Sequence, residues 1–189
     1  MTVAEVLKSA SIYLNLTELL RGYIENNLDS VSDEGKVEFS KILLAINNVG
    51  DILAKNIELK AKENILIEKN FLELSKLSKR CRKIKKITRI NDKKDVKFDV
   101  YDDYISTDEN GLMGIEYLYY PEKVTTINDV INFGRVNDNV IVMGVCCEYC
   151  CICGLFDDAT IWEGKFLNGL KEDIILPKGF VLTSRKWEI

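Results

Sequence analysis

The longest apolar stretch in the sequence runs from Val140 to about Phe166 and reads VIVMGVCCEYCCICGLFDDATIWEGKF. From Val140 to Cys153 nearly every position is apolar or small, and Glu148 is the only charge. A helix with that pattern is covered around most of its circumference rather than along one stripe, so it is expected to be central and buried. Gly154 tolerates the left-handed conformation that follows a helix end. Asp157 or Asp158 can then cap a second helix, on which Ala159, Trp162, Phe166 and Gly169/Leu170 share a face. The expected product is a short-linked helical hairpin with Trp162 as its buried anchor.

The rest of the chain alternates between two periods. Thr2 and Glu5 have the spacing of a capping box, and Val3, Val6, Leu7 and Ala10 follow at helical period, so a helix is predicted from about Val3 to Tyr13. Leu16 to Tyr23 extends it or packs beside it. Asn26 to Gly35 is polar, with Asp29, Ser32 and Asp33 available for turns and caps. Val37 to Ile57 then carries a helical apolar stripe, in which Gly50 marks a close helix contact. After Lys60 the period changes. Asn64 to Asn70 and Phe71 to Leu74 read as strands, whereas Leu74 to Ile90 fits a strand or a helix. Val96, Phe98 and Val100 alternate with Lys97 and Asp99 as in a strand with one buried face. Asn110-Gly111 is a turn signal, and Leu112 to Tyr120 is a strand ended by Pro121. Thr126 or Asn128 is expected to cap a helical turn over Asp129 to Phe133.

These elements describe an α+β chain: a helical bundle with an inserted small antiparallel β module and an extended C-terminal tail. The bundle is assigned to residues 1–62 and 126–175, the β module to 63–125 and the tail to 176–189. A chain of 189 residues with 47% hydrophobic and 30% charged content can bury a core without covalent staples. The Val140 to Cys153 run is shorter than the ~20 apolar residues of a membrane span, and MTVAEVLKSAS lacks the pattern of a secretory leader. No membrane association is expected, and synthesis is placed in the cytoplasm.

Charge is unevenly spread. Between Lys79 and Lys97 ten Lys/Arg face only Asp92 and Asp95, a local +8 in a chain of net −4, so the remainder carries −12. Opposite-signed regions of this size suit contacts with other copies or other proteins. The segment KRCRKIKKITRINDKK also suits a nucleic-acid patch, but it is interleaved with Ile84, Ile87 and Ile90 rather than stacking aromatics. The acidic block Asp99, Asp102, Asp103, Asp108 and Glu109 follows and is able to pair with it. Five of the six cysteines lie between Cys146 and Cys153. Cys146/Cys150 and Cys147/Cys151 are i, i+4 pairs of the kind that supply two zinc ligands. With no His in the chain and only Cys81 elsewhere, small hydrophobic packing residues are the favoured reading, and no base is at hand to activate a thiol. The tyrosines 117, 119 and 120 read as strand packing or an interface. No phosphate loop or nucleophile elbow is found, and neither cofactor, metal nor enzymatic activity is expected.

The order GIEYLYYPEKVTTINDV, then NFGRVNDNVIVMGVCCEYCCICGLFDDATIWEGKFLNGL, then LPKGFVLTSRKW resembles the small head-to-tail adaptors of tailed bacteriophages, the head-tail connector or tail tubular protein A-like family. The matching positions are Tyr117, Tyr119, Pro121, Cys146, Cys147, Glu148, Tyr149, Cys150, Gly154, Leu155, Ala159, Trp162, Phe166, Arg185 and Trp187. Cys146 and Cys147 stand where that family has small residues such as Ala. The resemblance implies a virion structural protein at the head-tail junction, a homo-oligomeric ring typically of twelve copies. It would join the capsid portal protein to the tail or nozzle proteins and let genomic DNA pass through its lumen without sequence specificity. It also implies a hairpin core of Cys147, Cys150, Gly154, Trp162 and Phe166, and portal contact by Arg185, Lys186 and Trp187 in the tail. Two other classes stand beside it: a cysteine-based metal-binding regulatory module and a nucleic-acid-binding factor acting through Lys79 to Lys97.

Overall fold

The computed structural model describes residues 1–173. The architecture is mixed α+β, as the two periods predict. The chain divides into two compact units: Met1–Asn56 with the segment from Lys123 onward, and Ile57–Glu122.

In the first unit, α1 (Val3–Tyr13) begins with the expected capping box: the Thr2 hydroxyl accepts from the Glu5 amide and the Glu5 carboxylate accepts from the Thr2 amide. Two further amides of the first turn, Val3 and Ala4, donate to the carbonyls of Asp129 and Ile127, at 3.0 and 3.1 Å. All four early N–H groups that a helix leaves without internal partners are therefore satisfied. This arrangement corrects the expected helical turn over Asp129 to Phe133: the turn falls before it, at Ile127 and Asn128, and the segment itself is irregular apart from a bridge from Val130 to Thr2. The Asp129 carboxylate accepts from the amides of Thr125 and Thr126, closing the turn behind it and leaving its carbonyls for α1.

The Leu16 to Tyr23 segment is mostly turn, with a four-residue helix α2 (Arg21–Ile24) at its end. Ser32 then caps α3 (Asp33–Asn56) by accepting from the Gly35 amide. Along α3, Phe39, Ile42, Ala45, Ile46, Val49 and Leu53 are buried, the 3-4 spacing of one helical face, and Gly50 is buried among them. At the centre is α4 (Asp138–Ile152), started by Asn137 and packed against α1, α3 and α5 (Phe156–Asp173). Ten of its fifteen residues are buried, which is why its apolar positions run around the whole helix. Gly154 has φ +74° and reverses the chain into α5. Asp157 and Asp158 do not cap that helix. They lie inside its first turn, where their charges complement the positive end of the helix dipole.

The second unit holds β1 (Lys60–Ile67), β2 (Phe71–Glu73), β3 (Cys81–Arg89), β4 (Phe98–Val100), β5 (Tyr104–Thr107) and β6 (Gly111–Tyr119). They form two antiparallel three-stranded sheets, β1-β6-β3 and β2-β5-β4. One core serves both, including Ile67, Leu72, Ile87, Ile105, Met113, Ile115 and Tyr117. The ambiguous stretch resolves into a short 3-10 turn, Leu74–Lys76, and strand β3. Register shifts occur between Cys81 and Lys83 and between Ile84 and Lys86, so Ile84 and Ile87 both reach the core although they are three residues apart. Each extra residue restores the same face after an odd step, and this mimics a helical spacing. Of the alternating residues before Val100, Val96 is buried and Phe98 half-buried, but Val100 is 54% exposed. The Asn110-Gly111 turn joins strands of different sheets: the Asn110 carboxamide accepts from the Asn70 amide, and Gly111 has φ +124°.

Candidate functional site

The residues expected to form the hairpin core fall into two groups. Cys147 and Cys150 are buried on α4, and Phe166 and Ala159 are buried on α5. Phe166 lies flat against Gly144: a Cβ built there would sit 2.8 Å from its ring. Further along, Gly169 receives Val140 in the same way, with 2.6 Å from such a Cβ to the valine methyl. The two helices therefore meet at glycines on opposite partners, and any side chain at either would push them apart. Trp162 is not the buried anchor. It is half-buried at the rim, tilted against the Tyr13 ring at 5.3 Å, with the Lys165 ammonium 4.1 Å from its ring centre. The indole takes the outer part of the stripe, and the smaller phenyl ring takes the interior. Gly154 lies at the reversal, and Arg185, Lys186 and Trp187 lie outside the described residues.

Cys146, Cys147 and Cys150 are buried in the helical packing. Burial pushes the Cys146 thiol up to about 12, with the neighbouring Cys150 adding to it, and Cys150 itself to about 11. Thiols in this environment stay protonated and behave as small apolar groups. The Cys147 thiol lies 3.5 Å from the Ala159 carbonyl across the hairpin. Among the described residues, no group of three or more His, Cys, Asp or Glu is placed to hold a metal ion.

Polar groups within the helical unit fasten α4 to α3. Tyr149 and Lys41 both donate to the Glu38 carboxylate, the latter at 2.7 Å, and Asn48 donates to the buried Glu148 at 3.2 Å. Burial raises the Tyr149 hydroxyl above its ordinary range, and the Glu38 carboxylate raises it further. Burial works against the charge on Glu38, but Lys41 and Tyr149 outweigh it and hold the carboxyl below its ordinary value. Glu148 and Tyr149 were legible as part of the motif, whereas Glu38, Lys41 and Asn48 were not, since nothing in a polar helix face marks which positions meet a partner.

In the β unit the basic segment is compensated in part. Lys86 pairs with Asp95 at 2.7 Å; Arg89 pairs with Asp92 at 2.9 Å and with Glu109 through two nitrogens at 2.9 and 2.6 Å. Lys85 and Lys60 share Glu58. Of the acidic block, only Glu109 pairs with the basic segment. A cleft of about 350 Å³ opens on the polar face of the β1-β6-β3 sheet. Its rows follow the register: Lys62, Glu116 and Lys86 in one, Asn64, Gly114 and Thr88 in the next, with Arg89, Ile90 and Lys93 at the margin. Gly114 forms the floor, where a Cβ would come within 3.1 Å of the Thr88 hydroxyl. Among the described residues Lys62 and Lys93 have no carboxylate within ion-pair distance. Lys62, Asn64 and Gly114 were missed in the sequence; their only signal there was the alternation of polar with apolar residues along β1 and β6.

The opposite charge is concentrated at the β4–β5 hairpin. The turn Tyr101-Asp102-Asp103-Tyr104 is closed by the Tyr101 amide donating to the Tyr104 carbonyl at 2.9 Å. The two tyrosine rings stack at 4.6 Å with 13° between planes, and Phe71 extends the row at 5.1 Å from Tyr104. Tyr101 is 49% exposed. Asp99, Asp102 and Asp103 carry no ion pair among the described residues.

Tyr117, by contrast, is fully buried, its hydroxyl donating to Glu63 and accepting from the Lys79 amide at 3.3 Å. Burial, then the Glu63 charge, pushes it up to about 12. Tyr119 and Tyr120 lie beneath the cationic heads of Lys79 and Arg80, at 5.0 and 4.9 Å. These tyrosines pack and bond within the β unit. Among the described residues no helix is long and apolar enough to cross a membrane. No protein-family model matches the chain, and no curated protein is significantly similar to it.

Proposed function

We propose that the protein is a structural virion component: a ring, of about twelve copies in the family it resembles, that joins the capsid portal to the tail and lets DNA pass through its lumen. On this reading the helical unit builds the ring wall, the β unit projects toward the tail or nozzle, and the C-terminal segment containing Arg185, Lys186 and Trp187 meets the portal. The observation that carries it is where the motif residues fall. Cys146, Cys147, Glu148, Tyr149, Cys150, Ala159 and Phe166 all belong to one tightly packed hairpin that Gly154 reverses, and their side chains are spent on holding α3, α4 and α5 together. A motif made of packing residues specifies a shape, and shape is what an adaptor contributes: many weak copies of one contact sum to a durable joint. The separated charges of the β unit supply the two unlike surfaces that a closed ring of identical copies requires.

Native mass spectrometry of the purified protein, alone and mixed with the portal protein encoded beside it, tests this reading. A ring, or a complex formed only with the portal and free of zinc, is expected. A monomer that carries stoichiometric zinc and ignores the portal overturns it in favour of a metal-binding module.

A further inference from the structure

We infer that the Tyr101–Tyr104 turn of one copy docks into the Lys62/Lys93 cleft of the next. The inference deepens the ring reading in one respect only, that copies of this chain associate with one another.

The turn has the properties of a plug. Its two central residues are aspartates, and the rings of its two outer residues stack at 4.6 Å. The hydrogen bond from Tyr101 to Tyr104 closes it at the base. It therefore presents two carboxylates on a stiff, narrow support, with little conformational freedom left to lose on binding. Among the described residues no cation lies within ion-pair distance of Asp102 or Asp103.

The cleft has the properties of the matching socket. Gly114 removes a side chain from its floor, and Asn64 and Thr88 present polar groups on either side of that glycine. Lys86 and Arg89 are already engaged by Asp95, Asp92 and Glu109, and Glu116 lines the cleft as well. Among the described residues the cleft charges left without an ion pair are Lys62 on β1, Lys93 at the margin and Glu116, which lies opposite Lys62 on β6. Two ammonium groups and the single carboxylate of Glu116, a net positive charge, are thus left without ion partners around a cavity of about 350 Å³, and two carboxylates without them crown a turn elsewhere on the same unit. Plug and socket are different surfaces of one chain, so their union is heterologous and repeats from copy to copy. Pairing of opposite charges at such a contact sets register and speeds encounter, and like charges placed there repel.

The test uses two charge-reversed full-length chains, Lys62→Glu with Lys93→Glu and Asp102→Lys with Asp103→Lys, followed by analytical ultracentrifugation in low salt without the portal protein. All four positions are exposed, and circular dichroism verifies that each variant folds. The wild type is expected to form species larger than a dimer, and each variant alone to associate at least ~10-fold more weakly. An equimolar mixture of the two is expected to recover assembly beyond a dimer, in alternating copies, because the acidic turn of the first fits the basic cleft of the second and the reversed turn of the second fits the reversed cleft of the first. Combining all four substitutions in one chain restores the wild-type pattern. Lys8→Glu, on the exposed side of α1, leaves it unchanged. Variants that assemble like the wild type, a mixture that regains no assembly, or a wild type that is monomeric at every concentration each overturn the inference. A portal complex that still forms under any of those outcomes leaves the adaptor reading standing, so the two fail separately.

Discussion

At the scale of single residues, the hairpin rests on a phenyl ring and a missing side chain. Phe166 is 4% exposed and lies against Gly144, whereas Trp162 leans on Tyr13 at the rim. Truncating Phe166 to Ala removes a buried ring and leaves a cavity where two helices meet, a loss of about 3–5 kcal/mol. Trp162→Ala is expected to lose under about 2 kcal/mol, since its indole gives up part of one face and a cation contact. Urea unfolding of the two variants reads the difference directly, and an equal loss would put the tryptophan back in the interior. The stripe Ala159, Trp162, Phe166, Leu170 was readable from spacing alone. Which of its members faces a glycine was not, because Gly144 belongs to another helix and only the packing sets the two opposite each other.

The elements were legible in proportion to how fully local rules govern them. The capping box of α1, the Ser32 cap of α3 and the all-round apolar α4 each follow from a few adjacent residues. Strand β3 was obscured because its two bulges shift the period, and a bulge is stated by the partner strand rather than by the strand itself. The Asp129 turn was misread as helical for a related reason: its carbonyls are taken by the start of α1, more than a hundred residues away in sequence. That turn also has a titration signature. The Thr125 and Thr126 amides, with the Thr126 hydroxyl, hold the Asp129 carboxyl at about 2 against an ordinary 3.8. A depressed carboxyl stabilises the fold above its unfolded value, and that contribution fades as pH falls from 3.8 toward 2. Thermal unfolding of Asp129→Asn is therefore expected to lag the wild type at pH 5 and to approach it at pH 2. A gap that stays constant across that range would show that the carboxylate is not what closes the turn.

For the whole molecule, the cysteines and the charges lead to separate expectations. Cys146, Cys147 and Cys150 are buried, whereas Cys81, Cys151 and Cys153 are half-buried. Iodoacetamide at pH 8 is expected to reach only the latter three while the protein is folded, and all six after unfolding, as counted by mass spectrometry. Chelators are expected to leave the melting temperature unchanged; a fall would revive the zinc reading. The charge asymmetry was plain in the sequence, but its resolution into a partly paired basic stretch, a lysine-bordered cleft and an acidic turn depends on sheet register, which composition does not contain. The β unit has one more property, in the pairing of its first and last strands. Lys60 lies opposite Leu118, and the Tyr119 amide donates to the Leu59 carbonyl, so the points where the chain enters and leaves the unit are neighbours. A segment whose two ends meet behaves as a cassette. Recombination can exchange it for another of different length and surface without altering the distance the helical sequence on either side must span, so over evolutionary time the β unit is free to diversify while the helices stay as they are.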